Sequence, residues 1–399
     1  MWPDLPIVVI VDGYANVNID HMISLLKRND RVCKISIEGD ESSLWEEVAA
    51  ISEPFPALIE LDLSSPPFEE DEDLALPESF LGGSVPRLRS LSLQGMAFPS
   101  IRKLLLSTRD LVALSLVYLS PSAYLSPESI VTILSTLTRL ISLHLLYEIP
   151  HFWTHGASQR SPALTRVVIP ALTHLEFRGH TEYLENIVSR IDAPLESIAV
   201  TFGELAFGIR HLRDFIGRTE ILNAPHRADS FYSNYSASIS VIQRKDGVDV
   251  RVLKAVILDG TSVSDLRLPC LAQAIGSLLS PLPSLERLGI YETGPWASQL
   301  PYEEEITHWM EVLRPFIAVK ILVLDEPFVL SVASALQGFV GEQGILPALQ
   351  DILLRVSQPW GAPIPEGITK FVASRKLSGR PVIVYQCHRK LRERRLWLN

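Results

Sequence analysis

The chain has 399 residues, 47% hydrophobic and 21% charged, which excludes a disordered polypeptide and implies a large buried surface. Lys and Arg number 36 against 46 Asp and Glu, a formal net charge of −10. That balance argues against nucleic acid or an anionic membrane as the partner and in favour of another protein.

At the N-terminus, Met1, Trp2, Pro3 and Asp4 lack a basic n-region, and the apolar run 7–11 is too short for a signal-peptide core. That run, Ile7, Val8, Val9, Ile10 and Val11, is β-branched and reads as a strand. The pattern apolar-x-x-apolar-x-apolar then recurs along nearly the whole chain. It appears at Val32/Ile35/Ile37, Leu58/Leu61/Leu63, Leu88/Leu91/Leu93, Leu111/Leu114/Leu116, Leu140/Leu143/Leu145 and Leu172/Leu175/Phe177. The second half continues with Leu195/Ile198/Val200, Leu253/Val256/Leu258, Leu285/Leu288/Ile290, Val319/Leu322/Leu324 and Leu349/Ile352/Leu354.

Successive copies are 23 to 34 residues apart except for one step of 58, from Val200 to Leu258. The long step predicts one degenerate unit between them, with 238–242 as its strand, and 382–384 reads as a terminal strand. Helical spacing with start signals falls between the strands at 20–27, 43–51, 100–107 and 126–137, and later at 183–191, 212–222, 271–279, 303–313 and 329–339.

Strand alternating with helix at this period predicts an α/β leucine-rich-repeat solenoid, a horseshoe of about 12–13 irregular units. Its parallel sheet lines the concave face and its helices the convex face. One unit buries too few apolar side chains to offset the entropy of ordering itself, so neighbours must stack. The array is expected to span 1–387 as one domain with loop inserts near 65–77, 150–162 and 203–248, followed by a basic tail at 388–399. The asparagine usual three positions after the last leucine is missing, with Pro66, Met96, Leu119 and Gly179 at or near that point. Helices are therefore expected to hold the turns.

Cys33, Cys270 and Cys387 have neither metal-ligand spacing nor a disulfide framework, which suits a reducing compartment, cytoplasmic or nuclear. No apolar stretch approaches membrane-spanning length. Leu322-Val323-Leu324-Asp325-Glu326 resembles a Walker B strand, but no G-x-x-x-x-G-K-[ST] segment accompanies it to cradle phosphate. Ile257 stands where a haloacid-dehalogenase-like strand would place its nucleophilic Asp, and no G-x-G-x-x-G follows Val8 to Gly13. His151 and His155 lack a catalytic Glu between them and read as loop residues, as the acidic run 69–73 and basic run 389–395 read as solvated. The expectation is a non-enzymatic chain with no catalytic residue, cofactor or metal.

In a strand reading L-x-x-L-x-L-x the non-consensus positions alternate away from the core and form a grid on the concave face. Its charged and aromatic members, the candidate partner-binding residues, are Lys34, Asp62, His144, His174, Glu176, Arg178, Arg287, Tyr291, Asp325 and Arg355.

The phrases Phe55-Pro56-Ala57-Leu58, Pro77-Glu78-Ser79-Phe80-Leu81-Gly82-Gly83, Pro86-Arg87-Leu88-Arg89-Ser90-Leu91, Ile191-Asp192-Ala193-Pro194-Leu195 and Phe371-Val372-Ala373-Ser374-Arg375 together resemble the repeat region of expanded fungal, basidiomycete-type F-box proteins. The resemblance implies a substrate-recognition component of a cullin-type ubiquitin ligase. Its repeats would hold a protein substrate on the concave face, and its F-box would dock on a Skp-type adaptor. Leu5-Pro6 is similar to an F-box opening, yet 7–11 reads as strand, so no F-box is evident in this chain. The alternative reading is a free-standing leucine-rich-repeat binding protein with no ubiquitin-ligase link.

Overall fold

The computed structural model describes residues 5–12, 19–65, 75–119, 124–147, 166–203, 208–258, 267–279, 282–294, 302–337, 344–357 and 363–388. The chain is mixed α/β with largely parallel sheet structure, and it divides into two compact units, Met1–Glu196 and Ser197–Asn399.

The first unit opens with β1 (Ile7–Asp12), α1 (Ile19–Leu26), β2 (Val32–Glu38), α2 (Ser42–Ala49) and β3 (Glu60–Ser64). It continues through β4 (Ser90–Gln94), α3 (Ile101–Ser107), β5 (Ala113–Val117), α4 (Pro127–Leu134) and β6 (Ser142–Leu146). It ends with β7 (Val167–Val168), β8 (His174–Arg178), α5 (Thr181–Val188) and β9 (Ile191–Asp192). Seven of these strands form a parallel sheet in the order β1-β2-β3-β4-β5-β6-β8, and β7 pairs separately with β9.

Each strand is short and alternates, so one face collects its apolar residues. Val9, Ile35, Leu61, Leu91, Leu114, Leu143 and Leu175 lie in one register row. Val11, Ile37, Leu63, Leu93, Leu116, Leu145 and Phe177 lie in the next, and all fourteen are buried. The first consensus position, from Val32 to Leu172, is buried throughout the unit as well. The helices contribute their own apolar sides to this core, among them Trp45, Leu104, Leu105, Ile130 and Leu184. Local signals set where they start: Ser126 accepts a bond from Ser129 N at the head of α4, and Pro127 occupies the first turn.

The turns are not held by the helices alone, as the missing asparagines suggested. Gly39 N donates to Ser64 O, Ser65 N to Gln94 O, Gly95 N to Val117 O, Tyr118 N to Leu146 O and Tyr147 N to Arg178 O, at 2.6–3.2 Å. Each strand end is thus tied to the next by its own backbone, which needs no particular side chain. The expected helix at 183–191 stops at Val188 because Ile191 joins β9 and pairs with Val167.

The second unit runs β10 (Ser197–Phe202), α6 (Arg210–Gly217), β11 (Pro225–Ser233), β12 (Ser236–Lys245), β13 (Val248–Leu258) and α7 (Arg267–Leu278). There follow β14 (Arg287–Glu292), α8 (Tyr302–Leu313), β15 (Ile321–Asp325), α9 (Val329–Gln337), β16 (Asp351–Val356), α10 (Glu366–Leu377) and β17 (Ile383–His388). Its sheet order is β10-β13-β12-β11-β14-β15-β16-β17.

Here the expectation of a looped-out insert at 203–248 is overturned. Residues 225–245 are sheet: β11 runs parallel to β14, while β12 lies antiparallel between β11 and β13. The residues read as one degenerate parallel strand, 238–242, are the middle of that antiparallel strand. Ala228, Tyr232, Ala237, Ile239 and Val241 are buried, so expelling the segment would uncover core. Asp246 and Gly247 both take positive φ, 52° and 79°, and close the β12–β13 hairpin as a tight turn of mirror-image type requires. Helix α10 went unread because it buries only Ile368 and Phe371 and shows no sustained apolar period. The expected insert at 150–162 and most of that at 65–77 lie outside the described residues, as do His151, His155 and the runs 69–73 and 389–395.

Leu143 is fully buried within its row, and replacing it by Ala should destabilise the first unit by about 2–5 kcal/mol. Urea unfolding monitored by circular dichroism measures this; a loss below about 1 kcal/mol would mean the leucine ladder is not a close-packed core.

Candidate functional site

The outward faces of the two sheets differ in chemistry. In the first unit, one outward row reads Val8, Lys34, Glu60, Ser90, Ala113, Ser142 and His174, and the next reads Ile10, Ser36, Asp62, Ser92, Ser115, His144 and Glu176. A third ends on Leu146 and Arg178. Serine therefore occupies the middle of this face, with carboxylates and Lys34 towards β2 and β3 and imidazoles, Glu176 and Arg178 towards β6 and β8.

Lys34 Nζ lies 2.7 Å from Glu60 Oε2, and that carboxylate raises the ammonium pKa above its ordinary value. Asp62 is exposed; three strand spacings separate it from His144, about 14 Å. His144 stands in register beside Glu176, and its Nε2 lies 3.0 Å from Ser142 Oγ. His174 Nδ1 lies 2.7 Å from Thr173 Oγ1. Arg178 donates to the Tyr118 hydroxyl at 2.8 Å, with its guanidinium carbon 5.3 Å from the same ring's centre. The sheet thus gathers His144, His174, Glu176 and Arg178 on two adjacent strands, and keeps Lys34 and Asp62 apart from them. Behind Arg178, Tyr147 stacks edge-on with Tyr183 and Phe177, and the two phenol oxygens are 3.3 Å apart.

In the second unit three of the four candidates, Tyr291, Asp325 and Arg355, draw together, and Arg287 stands apart from them at the other end of β14. The Tyr291 ring lies between Phe231, stacked at 5.4 Å, and the Arg355 guanidinium, 4.9 Å from the ring centre. Gly289 makes room for it: a Cβ there would stand 2.3 Å from the ring. Arg355 Nε lies 3.4 Å from Asp325 Oδ1, and Asp325 Oδ2 accepts the Glu292 amide at 2.9 Å. Arg287 stands in register beside Arg227, whose guanidinium holds Asp229 at 2.8 Å.

Tyr291 and Asp325 are 5% and 1% exposed, so little of either is presented at the surface, and their contacts tie this face to itself. Glu326, beside Asp325, accepts from Ser357 N at 2.9 Å and Ser357 Oγ at 2.6 Å. The two carboxylates that resemble a Walker B pair therefore tie the end of β15 to β14 on one side and to β16 on the other.

Sequence reasoning missed Phe231, Val323, Leu353 and Cys387, which pack with Tyr291 as an apolar cluster on the outward face. A signal was present: 321–324 and 352–354 are unbroken apolar runs, the mark of a strand covered on both sides. Phe231 had no such signal because β11 itself was unread. Among the described residues, no helix is long and apolar enough to cross a membrane. No protein-family model matches the sequence, and no curated protein matches it significantly.

Asp325→Ala should cost about 3–5 kcal/mol by stranding Arg355 and the Glu292 amide, whereas Asp325→Asn, which keeps an acceptor for that amide, should cost less. Chemical unfolding of both variants checks the order.

Burial pushes the Tyr147 phenol up to about 12 and that of Tyr183 well above its ordinary value. Unfolded phenols ionise near 10.0, so between there and about 12 the unfolded chain binds fewer protons than the folded one. The contribution to stability is complete below that window and is lost as pH rises through it. Tyr147→Phe should make the decline shallower, as read from melting temperatures at successive alkaline pH values.

Proposed function

We propose that the chain is a leucine-rich-repeat protein whose work is to bind another protein on the strand face opposite its helices, as the substrate-recognition component of a cullin-type ubiquitin ligase. The observation that carries the binding reading is the in-register ladder of the first unit. Three consensus side chains per strand go inward, and the rows between them go outward as an ordered array of serine, carboxylate, imidazole and guanidinium groups. Such an array presents donors and acceptors at fixed spacings on a rigid support, which suits recognition of a protein surface. Support for the ligase link is the resemblance of the repeat phrases to fungal F-box proteins. The second reading, a free-standing repeat scaffold, shares the same binding face and drops the adaptor.

Co-expression with a Skp-type adaptor, followed by size-exclusion chromatography, separates the two. The ligase reading expects a stable complex of the full chain with the adaptor. Separate elution of the two proteins would leave the scaffold reading.

A further inference from the structure

The first strand breaks the pattern of its own sheet. β1 stands at the end of the strand order of the first unit and, among the described residues, pairs with β2 alone. Ile7 donates its amide to Arg31 O at 2.9 Å. Backbone groups alternate sides along a strand, so Val9 and Val11 also turn theirs towards β2, and Val8 and Ile10 turn theirs away from it.

The same stretch carries apolar side chains into solvent: Leu5, Val8 and Ile10 are 59%, 51% and 68% exposed. On β3, β4 and β8 the corresponding outward positions hold Ser, His or carboxylates. Edge strands are ordinarily blunted by lysine, proline or an inward charge, and between Val8 and Val11 β1 has none of these. Pro6 and the register shift between Ile7 and Val8 limit the open edge to the part from Val8 onwards. The far end of the open stretch is acidic: Asp12 ends the strand in register with Glu38, while Lys34, in register with Val8, is paired with Glu60.

We propose that β1 accepts an extended segment of another protein as an added strand, apolar where it faces Val8 and Ile10 and carrying Lys or Arg where it passes Asp12 and Glu38. Main-chain bonds to the outward amides and carbonyls supply affinity, and the alternate side chains supply selectivity. Charge favours this occupant over a second copy, because a copy would bring another chain of net charge −10 against the acidic flank. The inference needs only the open edge and is independent of the repeat-protein reading.

The test is fluorescence anisotropy of a labelled peptide, in which Val and Ile alternate with Thr before two terminal Lys, titrated with the full chain. Saturable binding is expected, falling as salt is raised and falling at least about tenfold in Ile10→Pro, because proline removes an outward amide without removing a bond to β2. Val8→Lys, a change at an exposed side chain, should weaken binding in the same way without touching the backbone. Circular dichroism establishes that both variants are folded. The proposal is overturned if the peptide does not bind saturably, or if both variants bind it as the parent does. A concentration-dependent dimer in ultracentrifugation, abolished by Ile10→Pro, would assign the edge to a second copy and overturn the proposed partner. Loss of peptide binding in Asp62→Arg with Ile10→Pro unaffected would move the site to the outward face, overturning the edge while leaving the face reading intact.

Discussion

Register between neighbouring parallel strands is the constraint on which the first unit depends. A slip of one residue would send Leu91, Leu114 and Leu143 outward and bring Ser92, Ser115 and His144 in, exchanging an apolar core for buried hydroxyls and an imidazole. The penalty grows with every strand, because each row is shared by its neighbours. Backbone bonds at the strand ends fix the same register from outside the core. The order of the outward rows follows from this: Lys34 meets Glu60, and His144 meets Glu176, because the leucines beside them leave no other alignment.

The second unit meets the same demand by different means. An antiparallel strand, β12, enters the sheet, and the outward face of β11, β14, β15, β16 and β17 acquires its own apolar cluster. Val323 is buried although it points away from the leucine face. The Tyr291 ring lying across Gly289, with Phe231 on one side and Arg355 on the other, covers part of what would otherwise be exposed backbone. Asp325 is buried in company with Arg355 and the Glu292 amide, which give its charge partners away from water. A side chain that reads as a surface carboxylate thereby becomes part of the interior.

These differences bear on function. The outward face of the first unit is polar, shallow and built largely from small side chains between two charged margins. That of the second unit is aromatic and already packed against itself. A partner meeting the first would exchange hydrogen bonds with water-exposed groups, so its selectivity would come from matching charge and spacing. One meeting the second would find Arg355 partly exposed over the buried Tyr291 ring, an arrangement of the kind that concentrates binding energy.

The sequence by itself determined the strands that repeat Leu-x-x-Leu-x-Leu, most of the helices between them, and the division of Lys34, Asp62, His144, His174, Glu176 and Arg178 from the leucine core. It could do so because a period of two along a short strand and a recurring spacing along the chain are local properties. The reading of 203–248 as an insert passed over Asp246-Gly247, a pair suited to the positive φ that closes the β12–β13 hairpin. The tertiary structure alone decided that β12 runs antiparallel, that Tyr291 and Asp325 are interior, and that Val8 and Ile10 stand on an edge. Each of these depends on which strand lies alongside, and pairing between segments far apart in the chain leaves no mark in the spacing of either one.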